Sequence, residues 1–492
     1  LGGIFSYNYL ENRPLLWENN QDIWVDGIFS NSWAWSYNKV AEIDAPKKQI
    51  KLAYGDVYGL LKTYFSDFHF YENVFEEIDQ KGEYYIDRAK GTLYIYPTDD
   101  FFDENSKIEV LTLSDYNIKT NNTSNIAFRN IIFDGGRSGA IYTYGGSNIT
   151  VENCELKNYM GSGVIYAAGT TRVSVLDSYI HNFGNTAVRF SNSGSTTTLE
   201  SGGSIVDNCK IHNSGEYNKV YNGAVYISGV GNKVSNCEIY NMTHSAIIVS
   251  GNDHMIENNE FYDACTDFFD MGVIYFNNGQ RVNERGTIIR KNYFHNIGLK
   301  QAQSAVYPDN QTFGVTIEEN IFYNTAINSL SDTILSNSGS YIKIANNIFI
   351  DSGSPYRLSN HAANAFDYAP LWRDTFLAFN NFENTPHKTK YPELLTFWEK
   401  DYLIPNHDTF EKNLIYNNRV SLRHPNGYND QFGNKLDAKN NWVTYSNPGF
   451  VDYYAENFNL KKNADVFNKI LDFKPILFEE IGLKNDIGVY RD

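Results

Sequence analysis

From residue 148 to residue 351 the chain repeats one short pattern. It reads "NITVENCELKN" (148–158), "RVSVLDSYIHN" (172–182), "SIVDNCKIHN" (204–213) and "KVSNCEIYN" (233–241). It continues as "HMIENNEFYD" (254–263), "IIRKNYFHN" (288–296), "VTIEENIFYN" (315–324) and "IKIANNIFID" (342–351). Each copy alternates apolar and polar positions, the period of a strand, and closes on Asn or Asp after 22 to 33 residues. A second short strand follows most copies: "GVIYAAG", "TAVRFSN", "GAVYISG", "SAIIVSG", "MGVIYF", "SAVYPDN". Two or three short strands per repeat, with no helical periodicity between them, predict an all-β chain folded as a right-handed parallel β-helix. Its coils would stack about 4.8 Å apart.

Aligning the copies on their last residue gives one column: Asn158, Asn182, Asn213, Asn241, Asp263, Asn296, Asn324 and Asp351. Four places earlier stand Cys154, Ser178, Cys209, Cys237, Asn259, Asn292, Asn320 and Asn347. Stacked amides at a turn can hydrogen-bond from coil to coil, and Asn tolerates the left-handed conformation that a turn needs. The three cysteines of the second column are expected as buried free thiols. No histidine joins them, so they do not read as a metal site.

The flanks break the period. Residues 1–112 read as a small β-rich domain, with "GEYYIDRAKGTLYIYP" as a hairpin over 83–97. Residues 113–355 are the coil region. Residues 356–492 read as loop-rich last coils, closing in "NFNLKKNADVFNKILDFKPILFEEIGL", which is expected to cap the open end of the solenoid.

Composition narrows the chemistry. The net charge of −17 opposes nucleic acid and anionic surfaces and favours neutral or cationic partners. No run of 18 apolar residues is present, so no membrane insertion is expected. The 37 tyrosines and 32 phenylalanines supply flat faces that suit sugars, beyond those the core uses.

One stretch departs from the even spacing of charge: "DACTDFFDMGVIYF" (263–276) holds Asp263, Asp267 and Asp270 directly before an apolar strand. Asp263 occupies the repeating column, where a purely structural role is open to it, and Asp267 reads as a solvated loop residue. Asp270 is aligned with Tyr221, Thr243 and Ala302, so no column accounts for it. Glycoside hydrolysis uses two carboxylates, one to protonate the leaving oxygen and one to attack or to activate water. A seven-residue turn can bring Asp263 and Asp270 within the roughly 5–10 Å such chemistry spans. Asp309, in "AVYPDN", is the rival partner. An extended strand would hold it up to about 20 Å from Asp270, so it reads as a substrate contact. Tyr226, Tyr275 and Tyr307 share one register and point together, either inward or into a groove, with Arg189 expected one place off that register. His244 joins them as a candidate substrate contact. The groove is expected to cross strands 164–166, 188–190, 224–226, 246–248, 273–275 and 305–307. Loops over 356–402 would wall it, with Trp372 and Trp398 as sugar platforms.

The coils, the "GEYYIDRAKGTLYIYP" hairpin before them, the "D…DMGVIY" turn and the "NPGFVD…NFNL" tail together resemble the β-helix glycoside hydrolases of bacteria. These include family 120 β-xylosidases, family 141 enzymes and family 136 lacto-N-biosidases. Two aspartates seven apart, leading into a coil strand, are most similar to the family 136 pattern. That resemblance implies a retaining hydrolase of a neutral β-linked glycan, with Asp263 as acid/base and Asp270 as nucleophile. It implies release of lacto-N-biose from human-milk-type oligosaccharides, at an extracellular or cell-surface location. The family 141 pattern would instead pair Asp270 with Asp309. The helical segments that accompany some lacto-N-biosidases are not evident here. No cofactor is required by this chemistry, although acidic loops could carry a structural or substrate-bridging Ca²⁺.

Two other classes compete. A polysaccharide lyase would take a proton beside a uronate with a basic residue, and Arg281, Arg285, Arg290 and Lys291 offer candidates, but the negative charge opposes a polyanionic substrate. A non-catalytic glycan-binding solenoid would leave the crowding at Asp267 and Asp270 without a reason.

Overall fold

The computed structural model describes residues 5–18, 21–56, 58–60, 68–99, 108–215, 217–276, 281–299, 303–328, 331–359, 382–396, 405–419, 428–429, 435–485 and 487. The chain divides into two compact units, Leu1–Val110 and Leu111–Asp492.

The first unit carries a five-stranded antiparallel sheet. Its core is built from Ile23, Val25, Val40 and Ile50, closed by Trp17 and Phe29. The hairpin read from the sequence is present as Tyr84–Asp87 paired with Thr92–Ile95. At its turn the Asp87 carboxylate accepts the Lys90 backbone N–H at 3.0 Å, and Gly91 takes the left-handed conformation (φ +66°).

The second unit is a right-handed parallel β-helix with three sheets. Each coil contributes one strand to each sheet in chain order, so the first coil runs Ile118–Asn121, Ser124–Arg129 and Ile132–Gly136. We call the corresponding sheets 1, 2 and 3. Sheet 3 contains eleven strands, ending at Trp442–Thr444. Sheet 1 runs from Ile118–Asn121 to Ser354–Ser359, and sheet 2 reaches Lys435–Lys439. Inward positions stack like on like. Ile165, Val188, Val225, Ile247, Ile274 and Val306 form one column. Phe261, Phe294, Phe322 and Phe349 form another, with ring centroids 4.9–5.0 Å apart.

Both polar columns read from the repeats exist, and they do different work. The closing column lies on the outer surface at the end of each sheet 3 strand, and all eight of its residues have positive φ, from 44° to 63°. Asn213 donates to Asn182 at 2.9 Å, Asn241 to Asn213 at 2.6 Å and Asn324 to Asn296 at 2.8 Å. The inner column sits in the turn from sheet 2 to sheet 3. Asn259, Asn292, Asn320, Asn347 and Asn413 are buried there. Each side-chain N–H reaches the amide oxygen one coil on, at 2.9–3.1 Å, and a backbone carbonyl one coil back. Cys154, Cys209 and Cys237 continue the same column, buried and unlinked.

The closing segment does not cap the open end, as its sequence suggests, but runs back along the flank of the solenoid. Val466, Ile470, Phe473 and Ile476 pack against Tyr293, Ile321, Ile348 and Leu414 of sheet 3. Further on, Lys474 meets Glu319 at 3.1 Å and Lys484 meets Asp207 at 2.9 Å. The reason is apolar area. The outer face of sheet 3 over these coils carries Tyr and Ile instead of charge, and burying it is worth about 25 cal/mol per Å².

Two outcomes follow. Asn320→Ala orphans buried partners on both neighbouring coils, so chemical denaturation should show a loss of about 2–4 kcal/mol, against under about 0.5 kcal/mol for Lys462→Ala at an exposed position. Thiol titration of the denatured, unreduced chain should recover all four cysteines as free thiols.

Candidate functional site

The outer face of sheet 1 carries the candidate residues, and strand register decides how they meet. One outward column runs Tyr142, Tyr166, Arg189, Tyr226, Ile248, Tyr275 and Tyr307 over successive coils. The tyrosines therefore face outward, because the neighbouring register position holds the inward Val/Ile column. Arg189 belongs to the same column and not to the opposite face. Aligned on the small-Val pair, "AVR" and "AVY" fall in one register. Its guanidinium lies over Tyr226 at 4.7 Å and Tyr166 at 5.7 Å, contacts in which a ring's negative face attracts a cation.

Two carboxylate–tyrosine pairs cross between adjacent coils. The Tyr307 hydroxyl donates to Asp270 Oδ1 at 3.0 Å, and the Tyr275 hydroxyl donates to Asp309 Oδ2 at 2.7 Å. The two rings meet edge to face at 5.6 Å. Burial, and then the negative charge of Asp309, hold the Tyr275 hydroxyl far above the ordinary tyrosine range. Tyr307 is raised in the same way, by burial, Asp309 and Asp270. Both phenols stay protonated and act as donors. The close approach depends on Gly272, where a Cβ would lie 2.5 Å from Tyr307 Cβ.

Asp309 is enclosed. Besides Tyr275 it accepts the Asn310 backbone N–H at 2.7 Å, Asn310 Nδ2 at 2.9 Å and Asn337 Nδ2 at 2.8 Å. Strands Met271–Phe276 and Gln303–Pro308 run side by side for six residues. Asp270 precedes the first and Asp309 follows the second, yet each carboxylate accepts a hydroxyl of the same edge-to-face tyrosine pair, so both belong to one cluster.

Asp263 and Asp270 flank the turn from sheet 3 to sheet 1, and both are exposed. Within the turn, Cys265 and Phe268 are buried. The side-chain amide of the buried Gln303 donates to the carbonyls of both, at 2.7 Å for Phe268. Asp263, Cys265 and Asp270 all have positive φ, a backbone cost tolerated where surrounding contacts fix the turn. Asp267 lies mid-turn, exposed, beside the Thr266 hydroxyl at 3.0 Å.

Asp263 is an exception within its own ladder. Asp351 holds an equivalent place and accepts the asparagine of the next coil. Among the described residues the Asp263 carboxylate has no hydrogen-bond or ion-pair partner. A carboxylate also cannot donate to Asn241, as an asparagine would.

His244 is only 1% exposed. Its ring lies 5.4 Å from Tyr221 and 6.4 Å from Tyr275, so it supports the tyrosines from behind and does not face a ligand. Burial lowers its pKa to about 3. Trp372 and Trp398 lie outside the described residues. The basic residues of the lyase reading are engaged elsewhere. Arg281 pairs with Glu284 at 2.9 Å, Arg285 with Glu393 at 2.8 Å and Arg290 with Glu257 at 2.7 Å. Lys291 sits at a left-handed turn position (φ +54°). Among the described residues, no group of three or more His, Cys, Asp or Glu side chains is placed to hold a metal ion, and no helix is long and apolar enough to cross a membrane.

Sequence reasoning missed Gln303, Asn310 and Asn337. The first lies beside the column residues and the others at strand ends, with no motif to mark them.

Comparison with known proteins agrees with the architecture. The family model for the right-handed β-helix region matches residues 58–225. No curated protein matches the chain. Among solved structures, one described as a glycoside hydrolase is similar over 73% of this chain and 71% of its own, at 11% identity and a TM-score of 0.48. XylC, solved with xylose, is 15% identical over 59% of this chain and 56% of its own, with a TM-score of 0.32. A PL6 family polysaccharide lyase from Pseudopedobacter saltans is 11% identical over 76% and 96%, with a TM-score of 0.39. At such distances the chemistry must be argued from the site itself.

Buried neutral histidines make stability depend on pH. His244 and His254, the latter held near about 4 by burial, stay neutral in the fold but bind protons near 6.5 once unfolded. The unfolded chain thus takes up more protons below 6.5, and stability falls as pH falls. Each contributes up to about 1.4 kcal/mol per pH unit, until the folded pKa is reached. Denaturant midpoints at pH 7, 6 and 5 should fall progressively, and His254→Asn should make that slope shallower.

Proposed function

We propose that this protein is an extracellular glycoside hydrolase of a neutral β-linked glycan, with Asp270 and Asp263 as its two carboxylates. The observation that carries the reading is the unpartnered Asp263 carboxylate, exposed across a pinned turn from an exposed Asp270 that accepts a proton-bearing Tyr307. Asp351, at the same ladder position, keeps a bond to the next coil's asparagine, whereas Asp263 keeps none. In this reading Asp270 attacks the anomeric carbon, and the Tyr307 hydroxyl orients it and stabilises its charge before attack. Asp263 protonates the leaving oxygen and then activates water, as a retaining pair does. Asp309 fixes Tyr275 and lines the site as a substrate contact. Release of a disaccharide, such as lacto-N-biose, is the specificity most similar to the sequence pattern. Calcium, if it participates, would bridge substrate to exposed acidic loops.

Opposition to a lyase comes from the ion pairs that occupy Arg281, Arg285 and Arg290.

The test is kinetic. Asp270→Asn should lower kcat at least about 10³-fold with an unchanged melting temperature. Asp263→Asn should be slow on natural glycans yet retain activity on aryl glycosides, whose leaving groups need little protonation. Tyr307→Phe should cost about 10- to 100-fold, one charge-assisted hydrogen bond. Asp309→Asn should raise KM more than it lowers kcat. A fully active Asp263→Asn variant would dissolve the pair.

A further inference from the structure

The closing ladder of sheet 3 carries a second anomaly, far from Asp270. Over the last coils its register holds Asn324, Asp351, Asn417 and Tyr445, and these residues line a cleft of about 580 Å³ together with Tyr323 and Arg419. The ladder is directional, each amide N–H donating to the oxygen one coil back. Asn324 donates to Asn296 at 2.8 Å, which leaves its own oxygen waiting for a donor from the next coil. That coil supplies Asp351, which has none to give. The Asp351 carboxylate instead accepts Asn417 from one side and the Tyr453 hydroxyl from the other. Two acceptors therefore face each other in an open cleft. Beside them stand Tyr445, 71% exposed, and Arg419. The Arg419 backbone is tied to Ser352 at 2.8 Å, while its guanidinium has no hydrogen-bond or ion-pair partner among the described residues.

We propose that this cleft is a second, non-catalytic carbohydrate-binding site that takes a neutral sugar ring. Sugar hydroxyls donate to the Asn324 oxygen and to Asp351, and accept from Arg419, while the Tyr445 ring covers the apolar face. A few convergent polar groups beside an exposed aromatic ring is the pattern of small-molecule sites. Asp351 in the cleft disfavours acidic sugars, since like charges repel. The cleft belongs to sheet 3 and the Asp270 site to sheet 1. This site would hold a polymer without contacting the reacting bond, and it does not depend on the reading of Asp270.

The test is affinity electrophoresis of the full chain in gels cast with xylan, mixed-linkage β-glucan or galactomannan. The wild type is expected to be retarded in at least one, and Asp270→Asn equally so. Asp351→Asn supplies the amide that the ladder lacks. It should weaken retardation about 10-fold while its melting temperature is unchanged or raised, and Tyr445→Ala should do the same. Neither should alter turnover of a soluble aryl glycoside. The proposal is overturned if the wild type migrates freely in all three gels, or if both variants are retarded like the wild type. It is also overturned if retardation is lost only in Asp270→Asn, which would put all binding on sheet 1. A calcium-dependent rise in melting temperature, abolished by Asp351→Asn without change in retardation, would make the cleft a cation site instead.

Discussion

Every coil of a parallel β-helix must turn, and each turn drives backbone and side-chain polar groups toward an interior that offers no water. The fold depends on satisfying them by translation: what one coil leaves open, the next coil closes. The inner column from Asn259 to Asn413 does this most completely, since each amide binds its counterpart and a backbone carbonyl on the coil behind. A buried amide left half-satisfied costs more than an apolar residue in its place, so such a column is worthwhile only when it is continuous. Continuity in turn fixes the register of all three sheets. The inward Val/Ile and Phe stacks, and the outward tyrosines, are columns because the amides are.

A ladder with a direction also defines what counts as an exception. Asparagine both gives and receives, whereas aspartate only receives, so an aspartate within the closing column interrupts the donation at its own coil. Asp351 still accepts the asparagine of the coil that follows. Asp263 does neither, and it lies across the turn from the one candidate carboxylate that no column explains. The same rule that holds the scaffold together thus separates structural aspartates from available ones. It also singles out the cleft beside Asp351, where the interruption opens to solvent instead of to a neighbouring coil.

Much of this architecture was legible in the repeats, because a column is a sequence period and translation preserves it. The eight closing residues and the inner cysteine–asparagine column could be read directly, and so could the hairpin of the first unit. What could not be read was anything that depends on direction or distance across coils. Arg189 was displaced by one register position in an alignment of short strands, where one residue changes the face. The sequence showed Asp263 in its column but not that its carboxylate is unmatched. For Tyr275 and Tyr307 the sequence leaves both faces open, because alternation has no sign until a neighbour supplies one. The closing segment carries a strong apolar pattern, but most of its binding surface belongs to strands more than a hundred residues earlier.

Sheet 1 then presents two different ends along the solenoid axis. At coils 7 and 8 two protonated phenols, meeting edge to face, each bind a carboxylate, concentrating negative charge and hydrogen-bond acceptors where Asp270 is exposed. Three coils earlier Arg189 lies sandwiched between tyrosine faces, with its Nε buried and unpaired. A uronate chain lying along this face would gain one cation and meet carboxylates at the reacting end, while a neutral chain meets donors at one end and acceptors at the other. On the proposed glycosidase reading, the polarity of the face favours uncharged sugars independently of the net charge of the chain. It also gives a bound glycan a reason to lie in one direction along the coils.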